Sequence, residues 1–197
     1  MDIKKLLPFL EEEDLEQLAE KILSSPTHDY EGITLTTLLP FLDDDYVSTA
    51  CRKAFEKGES ISNYLPFMDD DDADKAFIMA LKESREDLSS FLPFVSDAAI
   101  DEAVNLITKG KVQVDTAFID KMLPFMDDDK IDEIFLLQVK NNQPISKYLP
   151  YVSDDALHKV VNMVINGKAT LDLNVLLPFL DDDDIRNIFK AEMNKKA

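Results

Sequence analysis

Runs of consecutive carboxylates are the residues in this sequence best placed to do chemistry. They are Glu11-Glu12-Glu13-Asp14, Asp43-Asp44-Asp45, Asp69-Asp70-Asp71-Asp72, Asp127-Asp128-Asp129, the shorter Asp154-Asp155, and Asp181-Asp182-Asp183-Asp184. Carboxylates can coordinate hard cations, move protons, steer a cationic partner or cap a helix. The runs lack the alternate acidic spacing and the glycine of an EF-hand loop, and adjacent acids in a helical turn diverge. Weak Ca²⁺ or Mg²⁺ condensation is therefore expected rather than a dedicated metal site or a resident cofactor. Among 40 acids, no spacing singles out a general acid–base pair. Capping is the plainest role, because an acceptor at a helix start satisfies exposed N–H groups and acids in the first turn complement the dipole. It leaves three or four acids in a row unexplained, since neighbouring carboxylates repel one another.

Other reactive side chains are few. Cys51 is the only cysteine, and by alignment of the runs it shares a column with Ala19, Phe77, Val104, Phe135, Val161 and Phe189, which predicts an inert buried thiol. His158 shares a column with Glu16, Ser48, Asp74, Asp101, Asp132 and Arg186, which predicts a solvent-facing position. His28 lies in a polar tail. No HExxH, phosphate-cradling loop or nucleophile elbow is present in the sequence, and a non-enzymatic protein is expected.

The net charge of −19 is localised. Of the 40 acids, 21 lie three to six residues after seven particular prolines; the other 19 face 21 basic residues. The negative excess thus belongs to one recurring element. It should repel phosphate backbones, so direct nucleic-acid binding is not expected. Apolar runs fall far short of the ~20 residues of a membrane helix, and the residues before Glu11 lack a signal-length apolar stretch. With one cysteine, these features predict a cytoplasmic protein with no membrane association.

The element that positions the acids is a phrase, Leu-Pro-aromatic-apolar, written seven times with prolines at 8, 40, 66, 93, 124, 150 and 178. Positions five, two and one before the proline and two after it are apolar, as in Ile61, Tyr64, Leu65 and Met68, which is the spacing of one helix face. Asp2, Thr34, Ser60, Asp87 and Asp172 stand where an N-cap belongs. Proline past the first turn removes a hydrogen bond and clashes with the preceding turn, so each first helix must kink or stop early. Seven, ten, eleven and fourteen residues after the proline a second helical series follows, as in Ile100, Ala103, Val104 and Ile107. Gly58, Gly110 and Gly167 fall at its C-terminal ends. In the last unit Glu192 and Asn194-Lys195-Lys196 supply the polar outer surface expected of a terminal cap.

One such unit cannot bury its apolar face alone, whereas stacked neighbours can. The expectation is an all-α, right-handed superhelical solenoid of seven helical-hairpin repeats of roughly 28 residues. It forms a single domain over 1–197, with repeats at about 1–32, 33–59, 60–86, 87–117, 118–143, 144–171 and 172–197. In this scheme the aromatic after each proline (Phe9, Phe41, Phe67, Phe94, Phe125, Tyr151, Phe179) is packing between units. Replacing Phe94 by Ala should then cost about 3–5 kcal/mol.

At the level of helix pairs the whole chain resembles the α-solenoid class, arrays of the HEAT and tetratricopeptide kind. Its period is shorter than the tetratricopeptide one and the signature residues of that repeat and of ankyrin are absent, so no functional residues carry over. The expected function is a protein–protein interaction scaffold that presents a curved surface with an acidic edge to a basic protein. Two alternatives come from other classes: a divalent-cation-responsive protein, and an acidic inhibitor mimicking nucleic-acid charge.

Overall fold

The computed structural model describes residues 3–25, 27–84 and 87–195; the Asp2 cap and Lys196 lie outside them. The fold is all-α apart, among the described residues, from one two-stranded antiparallel hairpin, β1 (Asp29–Tyr30) with β2 (Ile33–Thr34). The chain divides into two compact stretches, Met1–Ala99 and Ile100–Ala197. The first holds helices α1 (Glu12–Ser24), α2 (Leu35–Leu38), α3 (Asp44–Glu56) and α4 (Asp70–Glu83). Helix α5 (Asp97–Thr108) begins there and runs into the second stretch, which continues with α6 (Thr116–Met122), α7 (Asp128–Lys140), α8 (Asp154–Ile165) and α9 (Asp182–Lys195).

The seven longer helices are those predicted after the acidic runs. Their apolar columns form the core: Val47, Ala50, Cys51 and Ala54 on α3, Ala73, Ala76, Phe77 and Ala80 on α4, and Ile100, Ala103, Val104 and Ile107 on α5 are all buried. Gln138 on α7 is polar yet buried in one of these columns, whereas Ile185 and Phe189 on α9 remain exposed. Helices α3, α5 and α8 end with Gly58, Gly110 and Gly167 at positive φ. Each end carries the paired bonds of a Schellman motif, as in Gly58 N–H to Phe55 O at 2.9 Å and Glu59 N–H to Ala54 O at 2.9 Å. On α7 Asn142 takes the same left-handed conformation in place of glycine.

The predicted short first helix exists as an α-helix only in α2 and α6. Elsewhere the same residues form 3₁₀ turns, Ile3–Lys5, Leu88–Ser90 and Leu173–Val175, or simple turns. The physical reason is length: six residues from cap to proline leave too few to repay helix nucleation. The alternatives left for the proline resolve as an early stop. Leu-Pro-aromatic forms a 3₁₀ turn at Leu7–Phe9, Leu39–Phe41, Leu65–Phe67, Leu92–Phe94, Leu123–Phe125 and Leu177–Phe179. The aromatic N–H donates to the carbonyl three residues back, 2.9 Å for Phe67 to Tyr64 and for Phe94 to Phe91. The proline thus sits where its missing N–H breaks no helical ladder. The following apolar residue is extended, as at Met68 (φ −100°, ψ 156°), and the chain re-enters a helix at the acids.

Of the predicted first-segment caps, Asp87 and Asp172 accept from the N–H groups of Ser89 (3.1 Å) and Asn174 (3.0 Å). Thr34 and Ser60 instead meet neighbouring hydroxyls, Thr37 and Ser62. Asp115, not foreseen as a cap, accepts from Phe118 N–H at 2.6 Å. Helix α6 therefore begins before the repeat boundary expected at 117/118, which falls inside it. The hairpin was also unforeseen. Glu31 (φ 50°) and Gly32 (φ 73°) both take positive φ, the requirement of a two-residue type I′ turn.

Candidate functional site

Each acidic run divides its work by position. The residue three after the proline stands at the N-cap of the following helix. Asp43 accepts from Asp45 N–H (2.8 Å), Asp69 from Asp72 N–H (2.7 Å) and Asp181 from Asp184 N–H (2.8 Å). Ser96 and Ser153 do the same with Ala99 (3.3 Å) and Ala156 (3.2 Å). Glu11 and Asp127 hold the cap position without a side-chain bond. The next two positions cap nothing and are exposed in every run: Glu12 and Glu13, Asp44 and Asp45, Asp70 and Asp71, Asp128 and Asp129, Asp154 and Asp155, Asp182 and Asp183.

From the second unit on, the sixth position after the proline is buried or half-buried. Asp184 is 2% exposed and its Oδ1 lies 2.6 Å from His158 Nδ1. Asp72 is half-buried; its bond from Lys75 Nζ (2.6 Å) and, secondarily, the nearby Ser48 hydroxyl hold its carboxyl below the usual carboxylate range. Ser48 Oγ is itself buried and has no partner of good hydrogen-bond geometry. Lys130, also buried, bonds Glu133 at 2.8 Å, and that bond foremost, with Asp101 contributing, raises its pKa. Burial first, then Glu20 and Glu16, raises the Tyr46 phenol.

Where the sixth position is alanine, the cap serine makes the contact instead. Ser96 donates its N–H (2.8 Å) and hydroxyl (2.5 Å) to the Asp74 carboxylate, and Ser153 donates the same pair to Asp132 (2.9 and 2.5 Å). His158 is exposed, as its column implied, and still contacts Asp184. In the same column Asp74 and Asp132 accept from the start of the next long helix, and Ser48 is buried. Two residues expected on the acidic edge leave it accordingly: Asp184 is buried, and Asp72 is turned toward Lys75 and Ser48.

The aromatics after the prolines correct the packing expectation. Phe9 is 82% exposed and Tyr151 59%, while Phe41, Phe94, Phe125 and Phe179 are 37–38% exposed and Phe67 is half-buried. Each motif proline is exposed as well. The packing role belongs to the residue two before the proline: Leu38, Tyr64, Phe91, Met122, Tyr148 and Leu176 are buried. Phe91 meets Phe77 with ring centroids 6.0 Å apart. An exposed proline and an at least partly exposed aromatic therefore precede each pair of exposed acids. Between two such phrases lies a groove of about 340 Å³ lined by Pro66, Met68, Asp70, Pro93, Phe94 and Val95.

Cys51 is buried, as its column implied, and His28 is exposed at φ 52°. Among the described residues, no three His, Cys, Asp or Glu side chains are grouped to hold a metal ion, and no helix is long and apolar enough to cross a membrane. Comparison with protein-family models, curated proteins and solved structures gave no match.

Proposed function

We propose that this chain is a non-enzymatic scaffold of the cytoplasm, an α-solenoid of seven helical-hairpin units forming one domain, whose acidic edge docks a basic protein segment. Support for the repeat reading comes from two burial columns. The residue eleven after the proline is buried in the first six units, and the residue two before it is buried in the last six. Tyr64, whose pKa is pushed up to about 12, chiefly by burial and then by Glu59, also feels Cys51, which lies one unit earlier in the other column.

The observation that carries the function is the exposed pair of acids beside an exposed proline–aromatic pair. The acids have no capping duty there, and their mutual repulsion is relieved by a bound cation. The aromatic and proline supply apolar contact and, to an arginine, a ring face. Cation–π contact at exposed sites contributes about 0.5–1 kcal/mol, so several turns engaged together give useful affinity through effective concentration. The partner segment this surface fits alternates arginine or lysine with apolar residues.

Calorimetric titration with a synthetic peptide alternating arginine and leucine tests this. Binding should weaken as salt rises, and should weaken again when Phe67 and Phe94 are both changed to Ser. Affinity indifferent to salt would refute the acidic edge, and affinity indifferent to the serine substitutions would refute the aromatic contribution.

A further inference from the structure

We propose that copies of this chain associate head to tail, the open face of α9 in one copy receiving the first Leu-Pro-Phe phrase of another. The contact would repeat one made inside the chain. Long helices from α1 to α8 bury the residues seven and eleven after the proline: Leu15 and Ala19, Val47 and Cys51, Ala73 and Phe77, Ile100 and Val104, Ile131 and Phe135, Leu157 and Val161. The element covering such a column is visible at Phe77, whose ring meets Phe91 two residues before the next proline.

Helix α9 presents the same columns uncovered. Ile185 is 43% exposed and Phe189 64%, with Met193 beside them at 61%. The complementary column has its own open member. Leu6, two before the first proline, is 37% exposed, whereas its six counterparts are at most 8% exposed. One half of the contact seen between Phe77 and Phe91 is open on α9, and the other half is open at the first phrase.

The polar halves match as well. Inside the chain, the residue eight after a proline reaches the start of the next long helix, as His158 reaches Asp184 and Asp74 reaches Ser96. On α9 that residue is Arg186, which is exposed and donates to the exposed Asp183 of its own helix (3.4 Å). The receiving position, six after the first proline, is Asp14, also exposed. A cation and an anion thus stand at the two places where a contact between copies would bring them together. This choice of signs favours one copy's α9 meeting another's first phrase over two α9 faces meeting each other, which would bring Arg186 against Arg186. A head-to-tail contact of this kind leaves each copy with one open face of each type, so growth continues beyond the dimer unless a ring closes.

Sedimentation velocity at rising concentration and low salt tests the proposal, using the wild-type chain, Asp14→Arg, Arg186→Asp and an equimolar mixture of the two variants. All changes are on exposed side chains, and circular dichroism checks that the fold is kept. The wild type should show a mass increasing with concentration. Each variant alone should associate at least about tenfold more weakly, because like charges then face each other, and the mixture should regain wild-type association. A wild type that stays monomeric, a mixture no stronger than its components, or an Arg186→Asp chain that associates more tightly would overturn the proposal. The last result would indicate α9 meeting α9.

Discussion

Two phenylalanines three residues apart in one phrase should respond very differently to truncation. Phe91 is fully buried against Phe77 at 6.0 Å, so Phe91→Ala leaves a cavity and should cost about 3–5 kcal/mol. Phe94 keeps 37% of its surface in water. Burying a whole Phe side chain is worth roughly 1.5–3 kcal/mol, and the part of Phe94 that is covered accounts for about two-thirds of that. Solvent can fill the space it vacates, so no cavity term is added. Phe94→Ala should therefore cost about 1–2 kcal/mol, less than the value expected from sequence. Urea denaturation measures both through the shift in midpoint at constant slope. Equal losses would place Phe94 in the core and remove the exposed aromatic from the binding surface. A loss below about 1 kcal/mol at Phe91 would refute the packing column itself.

Other perturbations separate the positions within a turn. Asp69→Ala removes a cap and should cost about 1 kcal/mol, whereas Asp70→Asn with Asp71→Asn should leave urea stability nearly unchanged and weaken binding of the arginine–leucine peptide. In a double-mutant cycle, Asp132→Ala and Ser153→Ala should show a coupling of about 0.5–3 kcal/mol, since Asp132 accepts both Ser153 bonds; additive losses would mean that this contact contributes nothing. Tyr64 has a folded pKa raised to about 12 from 10.0, so its stabilisation is fully present below pH 10 and is lost as pH rises toward 12. The loss amounts to roughly 2–3 kcal/mol, and Tyr64→Phe should flatten alkaline unfolding measured by circular dichroism over that window.

The long helices were legible because four apolar columns at helical spacing and an acidic start all point the same way. The buried Cys51 followed from its column. The 3₁₀ form of the first segments was not legible, because apolar spacing through the proline reads equally as a kinked helix. Sequence pattern also misassigned one column of side chains and missed the contacts of another. The aromatic after each proline and the residue two before it are both apolar, and only the extended residue after the 3₁₀ turn decides which of them faces in. The polar column running from Glu16 to His158 looks solvated by residue type, and His158 is indeed exposed, yet Asp74, Asp132 and His158 also meet the next turn, which presents an N–H, hydroxyl or carboxylate there. One sign was available: the sixth position after the proline varies among Asp, Tyr, Ala and Lys, as a contact position would, while the fourth stays acidic throughout. The open face of α9 was hidden by Glu192, a polar residue beside the apolar Ile185 and Phe189.

The proposed binding surface joins the exposed acids of the turns, two in every turn but the one at Asp97, to the proline–aromatic pair beside them. Amide chemical-shift mapping of the chain during titration with the arginine–leucine peptide tests it most directly. Shifts should concentrate at positions such as Asp70, Asp71, Phe67 and Phe94 and diminish as salt is added, with the buried Asp184 unmoved. Shifts spread evenly over the surface, or centred away from these turns, would contradict it.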